Sequence, residues 1–247
     1  MSNSIKIITP FYNPGEFLEQ CVSSAISQKY DNYKMIFIDD CSTDGSFDKL
    51  PHDDDRAIII RNETRKTALE NLHNAIMNCC EPEDIVVILD GDDWLSSKKV
   101  LQYIDKQYNS LDCWIMYGSA SWTDGRNCFS SEYTEEDFKD LRKAPFRVSH
   151  LRTFKAGLYH KIKEQDSDFS CLKDSKGEFY KMTYDVAMML PLLEMAGKEK
   201  VVHNKSILYI YNRENPISDD KVNQQLQWSI HAEILKKPKF KTLESYE

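Results

Sequence analysis

The residues with chemistry to offer centre on Asp90-Gly91-Asp92-Asp93, where three carboxylates crowd one turn. Carboxylates this close repel one another, so each favours its protonated form or full hydration unless a cation neutralises the group. Oxygen donors of this kind suit a hard divalent cation, Mg²⁺ or Mn²⁺. A second acidic pair, Asp39-Asp40, and a basic stretch carrying Arg61, Arg65 and Lys66 stand earlier in the chain, and Asp185 follows Met182-Thr183-Tyr184 much later. A cation to neutralise departing phosphates and a carboxylate to take a proton are what displacement of a phosphorylated leaving group by a hydroxyl requires. Each feature also has a plainer reading: D-G-D-D and Asp39-Asp40 as hydrated turns, Asp185 as a helix cap, the basic stretch as a solvated face. Convergence of all four on one rim is what separates the two readings.

Stepping along the chain, Ile85–Leu89 is a run of five apolar residues, the pattern of a strand buried on both faces, and Gly91 permits a sharp turn just beyond it. Ile5–Thr9, Tyr33–Ile38 and Ala57–Ile60 read as further strands, the first running into the turn-rich Pro10-Phe11-Tyr12-Asn13-Pro14-Gly15. Between them, Glu16–Gln28 and Thr67–Cys80 carry apolar residues at helical spacing. Lys98–Asn109 reads as another helix and Cys113–Tyr117 as another strand. Alternation of this kind predicts an α/β fold: a mostly parallel central sheet with helices on both faces, binding its ligand outside the carboxyl ends of the strands. Asp39, Asp40, Arg65, Lys66, Asp90 and Asp92 all fall at that rim.

Beyond Gly118 the alternation fails. Glu132–Lys143 reads as a helix or loop over the site, Pro145–Phe154 as extended, Glu164–Gly177 as a polar loop, and Val186–Ala196 as an apolar helix beginning just after Asp185. Val201–Tyr211 holds a late strand, and Val222, Leu226, Ile230 and Ile234 form the stripe of a last helix. His150 and Arg152 are candidates for acceptor or phosphate contact and His203 for the metal shell, although a lone histidine is more often structural. Trp94 and Trp122 could stack on a sugar, a role less common for large aromatics than core packing.

The 247 residues, 41% hydrophobic and 29% charged, suit one sizeable domain with a C-terminal extension. A net charge of −8 argues against nucleic acid, which is held through clustered Lys and Arg. No apolar run of about 18 residues spans a bilayer, so the expectation is a soluble protein, with peripheral membrane association left open. Seven cysteines without metal-type spacing and no signal-like start point to the cytoplasm. A nucleotidyltransferase would want a glycine-rich loop after the first strand, and T-P-F-Y-N-P-G is not one. An aspartyl-nucleophile phosphatase fits poorly too, since L-D-G-D-D lacks the following Thr or Val.

Four blocks in order carry a resemblance: K-I-I-T-P-F-Y-N-P-G-E-F-L-E-Q-C-V-S-S-A-I-S-Q, I-F-I-D-D-C-S-T-D-G-S, I-L-D-G-D-D-W-L-S and T-Y-D-V-A-M-M-L. The chain resembles the inverting GT-A glycosyltransferases of family 2, closely over residues 1–118 and more loosely to about Tyr211. The resemblance implies a Rossmann-like GT-A sheet with Asp92 binding a divalent metal, Mn²⁺ or Mg²⁺, and Asp90 contacting the ribose or a metal-bound water. It implies further that Pro10, Phe11 and Tyr12 pack on the nucleotide base, that Asp40 hydrogen-bonds the base, and that Asn62, Arg65 and Lys66 face the diphosphate. Asp185 becomes the general base, with Tyr184 in a position where relatives often carry Glu or Thr. On this reading residues 1–118 bind the nucleotide-sugar, residues 119–211 the acceptor, and residues 212–247 form a helical extension. The donor expected by default is a UDP-hexose, and the acceptor a glycan, a lipid-linked sugar or a protein. A non-catalytic sugar-nucleotide or glycan-binding module with the same fold is the alternative, and the oligomeric state stays open.

Overall fold

The computed structural model describes residues 2–215 and 223–246. In chain order the first half contains β1 (Ile5–Phe11), α1 (Phe17–Ile26), β2 (Tyr33–Asp39), β3 (Ala57–Arg61), α2 (Ala68–Cys79), β4 (Ile85–Ile88), β5 (Trp94–Leu95), α3 (Val100–Ser110) and β6 (Ile115–Gly118). The second half adds β7 (Ala120–Trp122), β8 (Asn127–Cys128), α4 (Glu135–Lys139), β9 (Ser149–Lys155), α5 (Ala156–His160), α6 (Ile162–Gln165), α7 (Tyr184–Ala196), β10 (Val201–His203), β11 (Tyr209–Tyr211) and α8 (Gln224–Ile234). The strands expected in the first half form within about two residues of their expected ends.

A seven-stranded sheet runs in the order β10-β6-β9-β4-β1-β2-β3. β3, β2, β1 and β4 are mutually parallel, as are β10 and β6. β9 is inserted antiparallel between β4 and β6, so the sheet is mixed at this point. All four residues of β4 are buried because β1 and β9 flank it and helices cover both faces. Alternate strand residues go to opposite layers. Ile8, Ile36, Ile38, Val86 and Ile88 pack in the layer of α2, α5 and α7, and Ile5, Ile7, Met35, Phe37, Ile85 and Val87 pack in that of α1 and α3. A second, four-stranded sheet, β5-β11-β7-β8, stands beside the rim.

Two expectations for the second half need correction. Glu164–Gly177 is not simply a polar loop: α6 enters it, and Phe169, Cys171 and Leu172 are buried in the core between charged residues that masked them in sequence. The late strand is two strands in different sheets, β10 beside β6 and β11 between β5 and β7, separated at Asn204, whose side chain bonds Ser206 in both directions. In the last helix Ile230 and Ile234 are buried and Leu226 is exposed, while Val222 lies outside the described residues.

The C-terminal segment is built into the main core. Arg142 and Glu194, both buried, form a bidentate pair at 2.6 and 2.8 Å. Arg142 also donates to the Ile234 carbonyl, and Glu194 accepts the Phe240 N–H. One buried ion pair with its hydrogen bonds met thereby ties α4's flank, α7, α8 and the tail together. Tyr246 closes the tail edge-on against Trp114, over Gly157, where a Cβ would come within 2.7 Å of its ring.

Candidate active site

β1, β2 and β4 end at one rim, and a cleft of about 950 Å³ opens there. On one side lie Pro10, Phe11, Tyr12, Asp40, Arg65 and Lys66, on the floor Asp90 to Asp93, His150 and Arg152, and on the other side Thr183, Tyr184 and Asp185. Gly91 is required where it stands: a Cβ would sit 2.4 Å from the Phe11 Cβ. The acidic turn is thus pressed directly onto the first loop.

At the end of β2, Asp39 is fully buried and lies 3.2 Å from Arg61 while accepting the Ser42 N–H. Asp40 accepts from the Asn62 amide and the Lys66 N–H, both at 2.8 Å, and from Arg65 at 3.1 Å. The Arg65 guanidinium carbon also lies over the Tyr12 ring, 3.3 Å from its centre. Lys66 is placed by the start of α2, where Thr67 caps the helix by accepting the Glu70 N–H. Asn62 does not line the cleft; it stands behind Asp40, bridging it to Asn71.

At the end of β4 the three carboxylates have different surroundings. Asp93 is buried, accepting from the Tyr209 hydroxyl at 2.6 Å and the Asn212 N–H at 2.7 Å. Burial, and then the charges of Asp92 and Asp90, push its carboxyl well above the usual range. Asp92 is half-buried and accepts from Asn215 at 2.7 Å. Asp90 accepts from the Tyr184 hydroxyl at 2.6 and 2.8 Å and from Arg152 at 3.4 Å, and its own N–H donates to Tyr209.

Arg152 reaches this floor from β9. It is buried, donates to the Tyr184 oxygen at 2.9 Å and lies 3.7 Å from Asp185. Burial works against its charge, yet Tyr184, Asp90 and Asp185 hold its pKa above the ordinary value. His150 stacks on Tyr209 at 4.5 Å; burial, and then Arg152, hold it well below its ordinary pKa, so it is a neutral imidazole near pH 7. Asp90, Asp93 and His150 each bring a ligand atom within 4.8 Å of the others. Two carboxylates and a neutral imidazole are a donor set that fits a divalent cation. His203, by contrast, stands apart, 2.9 Å from Ser130 and against Tyr117. Arg126 and Arg213 lie over the Trp122 ring, and neither Trp122 nor Trp94 lines the cleft.

Asp185 occupies the first turn of α7, within the cleft; the helix's N-cap is Thr183, so Asp185 is not the cap. Tyr209, Asn212 and Asn215 carry no weight in the sequence reading. The only signal is the polar run that follows an aromatic strand, Y-I-Y-N-R-E-N, and nothing in it points to residues more than a hundred positions earlier.

A family model described as Glycosyl transferase family 2 matches residues 6–163. The chain belongs to this family. Family 2 glycosyltransferases transfer sugars from nucleotide sugars. The chain is 27% identical over 122 residues to glycosyltransferase GlyG of Streptococcus pneumoniae, across 48% of this chain and 40% of that protein. It is 29% identical over 117 residues to the UDP-Glc:alpha-D-GlcNAc-diphosphoundecaprenol beta-1,3-glucosyltransferase WfgD of Escherichia coli, across 47% of this chain and 45% of that one. The chain thus spans less than half the length of these two curated relatives. Among solved structures, the mannosyltransferase PcManGT from Pyrobaculum calidifontis in complex with GDP-Man and Mn2+ superposes with a TM-score of 0.64 at 15% identity, over 97% of this chain and 66% of that one. S. aureus TarS 1-349 in complex with UDP-GlcNAc gives 0.60 at 15% identity, over 86% and 59%. At such identity the likeness speaks for the fold, which is GT-A. Among the described residues no helix is long and apolar enough to cross a membrane.

Proposed function

We propose that this chain is an inverting, metal-dependent glycosyltransferase that moves a hexose from a nucleoside diphosphate, UDP by preference, to an acceptor hydroxyl. The observation that carries the reading is the meeting of Asp40, the acidic turn and Asp185 in one cleft, from the ends of β2 and β4 and the start of α7. The ring of Tyr12 and the Asp40 acceptor suit a planar base with an N–H on its pairing edge, which uracil presents. Arg65, now over the face of Tyr12, has to yield that place to the base, and Lys66, which lines the same cleft, would face the diphosphate. Asp92 of the D-x-D element, together with the Asp90, Asp93 and His150 group, would hold Mn²⁺ or Mg²⁺, whose charge would offset that of the leaving diphosphate. Asp185 takes the proton from the acceptor hydroxyl as that oxygen attacks the anomeric carbon opposite the leaving group. One displacement with no covalent intermediate inverts the configuration.

Residues 1–118 would then hold the donor. The acceptor side draws on residues 119–211 and also on α8, since Phe179, Lys181 and Gln227 line the cleft beyond Asp185. Calorimetric titration of UDP, GDP and TDP, with and without Mn²⁺, on wild type and Asp92→Ala tests the reading. Metal-dependent binding of one nucleotide, lost in the variant, is expected; no binding of any nucleotide under either condition overturns it. Retained anomeric configuration in the product would exclude the single displacement. If nucleotide binds tightly yet no sugar is ever released from any donor, the chain is a binding module and Asp185 has no proton to take.

A further inference from the structure

Helix α7 carries the candidate base, yet no side-chain cap fixes where it begins. Its N-cap Thr183 sits in the left-handed region at φ 62° and makes no side-chain cap bond. That conformation disfavours a β-branched residue, so the surrounding structure must impose it. The Thr183 hydroxyl donates to the Gln227 carbonyl at 3.4 Å, and shorter bonds hold the next residue. The Tyr184 hydroxyl donates to Asp90 at 2.6 Å and accepts from Arg152 at 2.9 Å, and the guanidinium also lies over the Tyr184 ring. Arg152 belongs to β9, which pairs directly with β4, so it is anchored to the strand that delivers the acidic turn. Its other terminal nitrogen lies 3.7 Å from Asp185, and its Nε has no partner among the described residues.

Consecutive helix residues point about 100° apart. Tyr184 can therefore be held against the acidic floor while Asp185 faces the cleft. We propose that Tyr184, together with Arg152, is a positioning residue: the rest of α7 is held by the core, and the Arg152–Tyr184–Asp90 chain sets its first turn and so the place of the Asp185 carboxylate relative to the donor. The inference rests on the transferase reading above. It assigns a role to the phenol that precedes the candidate base, and it makes the acidic turn and the base one mechanical unit.

Displacing a reacting group by about 1 Å costs on the order of a hundredfold in rate, while ground-state binding elsewhere is little affected. The test is made on the full chain with UDP, and with UDP-glucose, UDP-N-acetylglucosamine and GDP-mannose as donors hydrolysed by water. Tyr184→Phe, which keeps the ring and removes the hydrogen bonds, should leave UDP affinity and donor KM within about threefold and lower kcat about ten- to a hundredfold. Arg152→Lys should shift kcat in the same direction, and it serves should the first variant fold poorly. On an Asp185→Asn background Tyr184→Phe should cost nothing more, because its effect runs through Asp185. A kcat equal to wild type at matched folded fraction overturns the proposal. So does an equal loss with and without Asp185, which marks a structural role. A wild type that neither binds nucleotide nor releases sugar from any donor instead sinks the transferase reading, and this inference with it.

Discussion

Two carboxylate-bearing strand ends stand side by side at this rim, and different parts of the chain complete them. At the end of β2, the partners of Asp39 and Asp40 are Arg61, Asn62, Arg65 and Lys66, none more than 26 residues away. At the end of β4, the partners of the acidic turn are Arg152, Tyr184, Tyr209, Asn212 and Asn215, 62 to 123 residues downstream. The first end is complete once β2 and β3 pair. The second has no counter-charge until β9 enters the sheet and α7 and β11 dock. Base recognition on this reading is a local property, whereas metal, leaving group and base depend on closure of the whole fold.

The comparison can be broken first at the long-range end. Asp185→Asn should lower turnover about 10²–10⁴-fold while leaving nucleotide affinity nearly unchanged, as measured by UDP release and calorimetry. Loss of both together would mean that the two ends are not separable. Closure itself rests on the Arg142–Glu194 pair, where Glu194→Ala leaves a buried guanidinium unpaired. A loss of about 3–5 kcal/mol in denaturant unfolding is expected, and an unchanged midpoint would show that the tail closes without it.

At the local end, Asp40→Asn exchanges a charged acceptor for a neutral one, and weaker nucleotide binding by about 1.5–3 kcal/mol should follow, with kcat at saturating donor little altered. Gly91→Ala presses a methyl group onto Phe11 exactly where the acidic turn meets the first loop, and should cost about 1–3 kcal/mol of stability. An effect seen only towards acid pH lies behind the cleft, at His73. Burial, and then Lys173, hold this imidazole down at about 4 beside Tyr159 and Phe169. The unfolded chain takes up a proton near pH 6.5 that the folded chain refuses, so stability should fall as pH drops from 6.5 towards about 4. Melting temperatures of His73→Gln across that window should show a shallower decline than wild type; parallel curves would remove His73 from the acid sensitivity.

By itself the sequence determined the α/β alternation, the parallel strands β1 to β4, and the rim at which Asp39, Asp40 and Asp90 to Asp93 emerge. These follow from patterns of 2 and 3.6 residues and from turns, all of which act over short stretches of chain. It also singled out Asp185, His150 and Arg152, but with no means of saying which of them meet. Only the tertiary structure decided that β9 runs antiparallel between β4 and β6, that His150 and not His203 stands by the acids, and that Tyr184 and Tyr209 hold Asp90 and Asp93. Burial of Phe169, Cys171 and Leu172 within a charged stretch belongs to the same group. The physical reason is one of range. A buried carboxylate must find a donor or a counter-charge, but any Tyr, Asn or Arg can supply it from any distance along the chain, and which one does so is settled only when the elements pack.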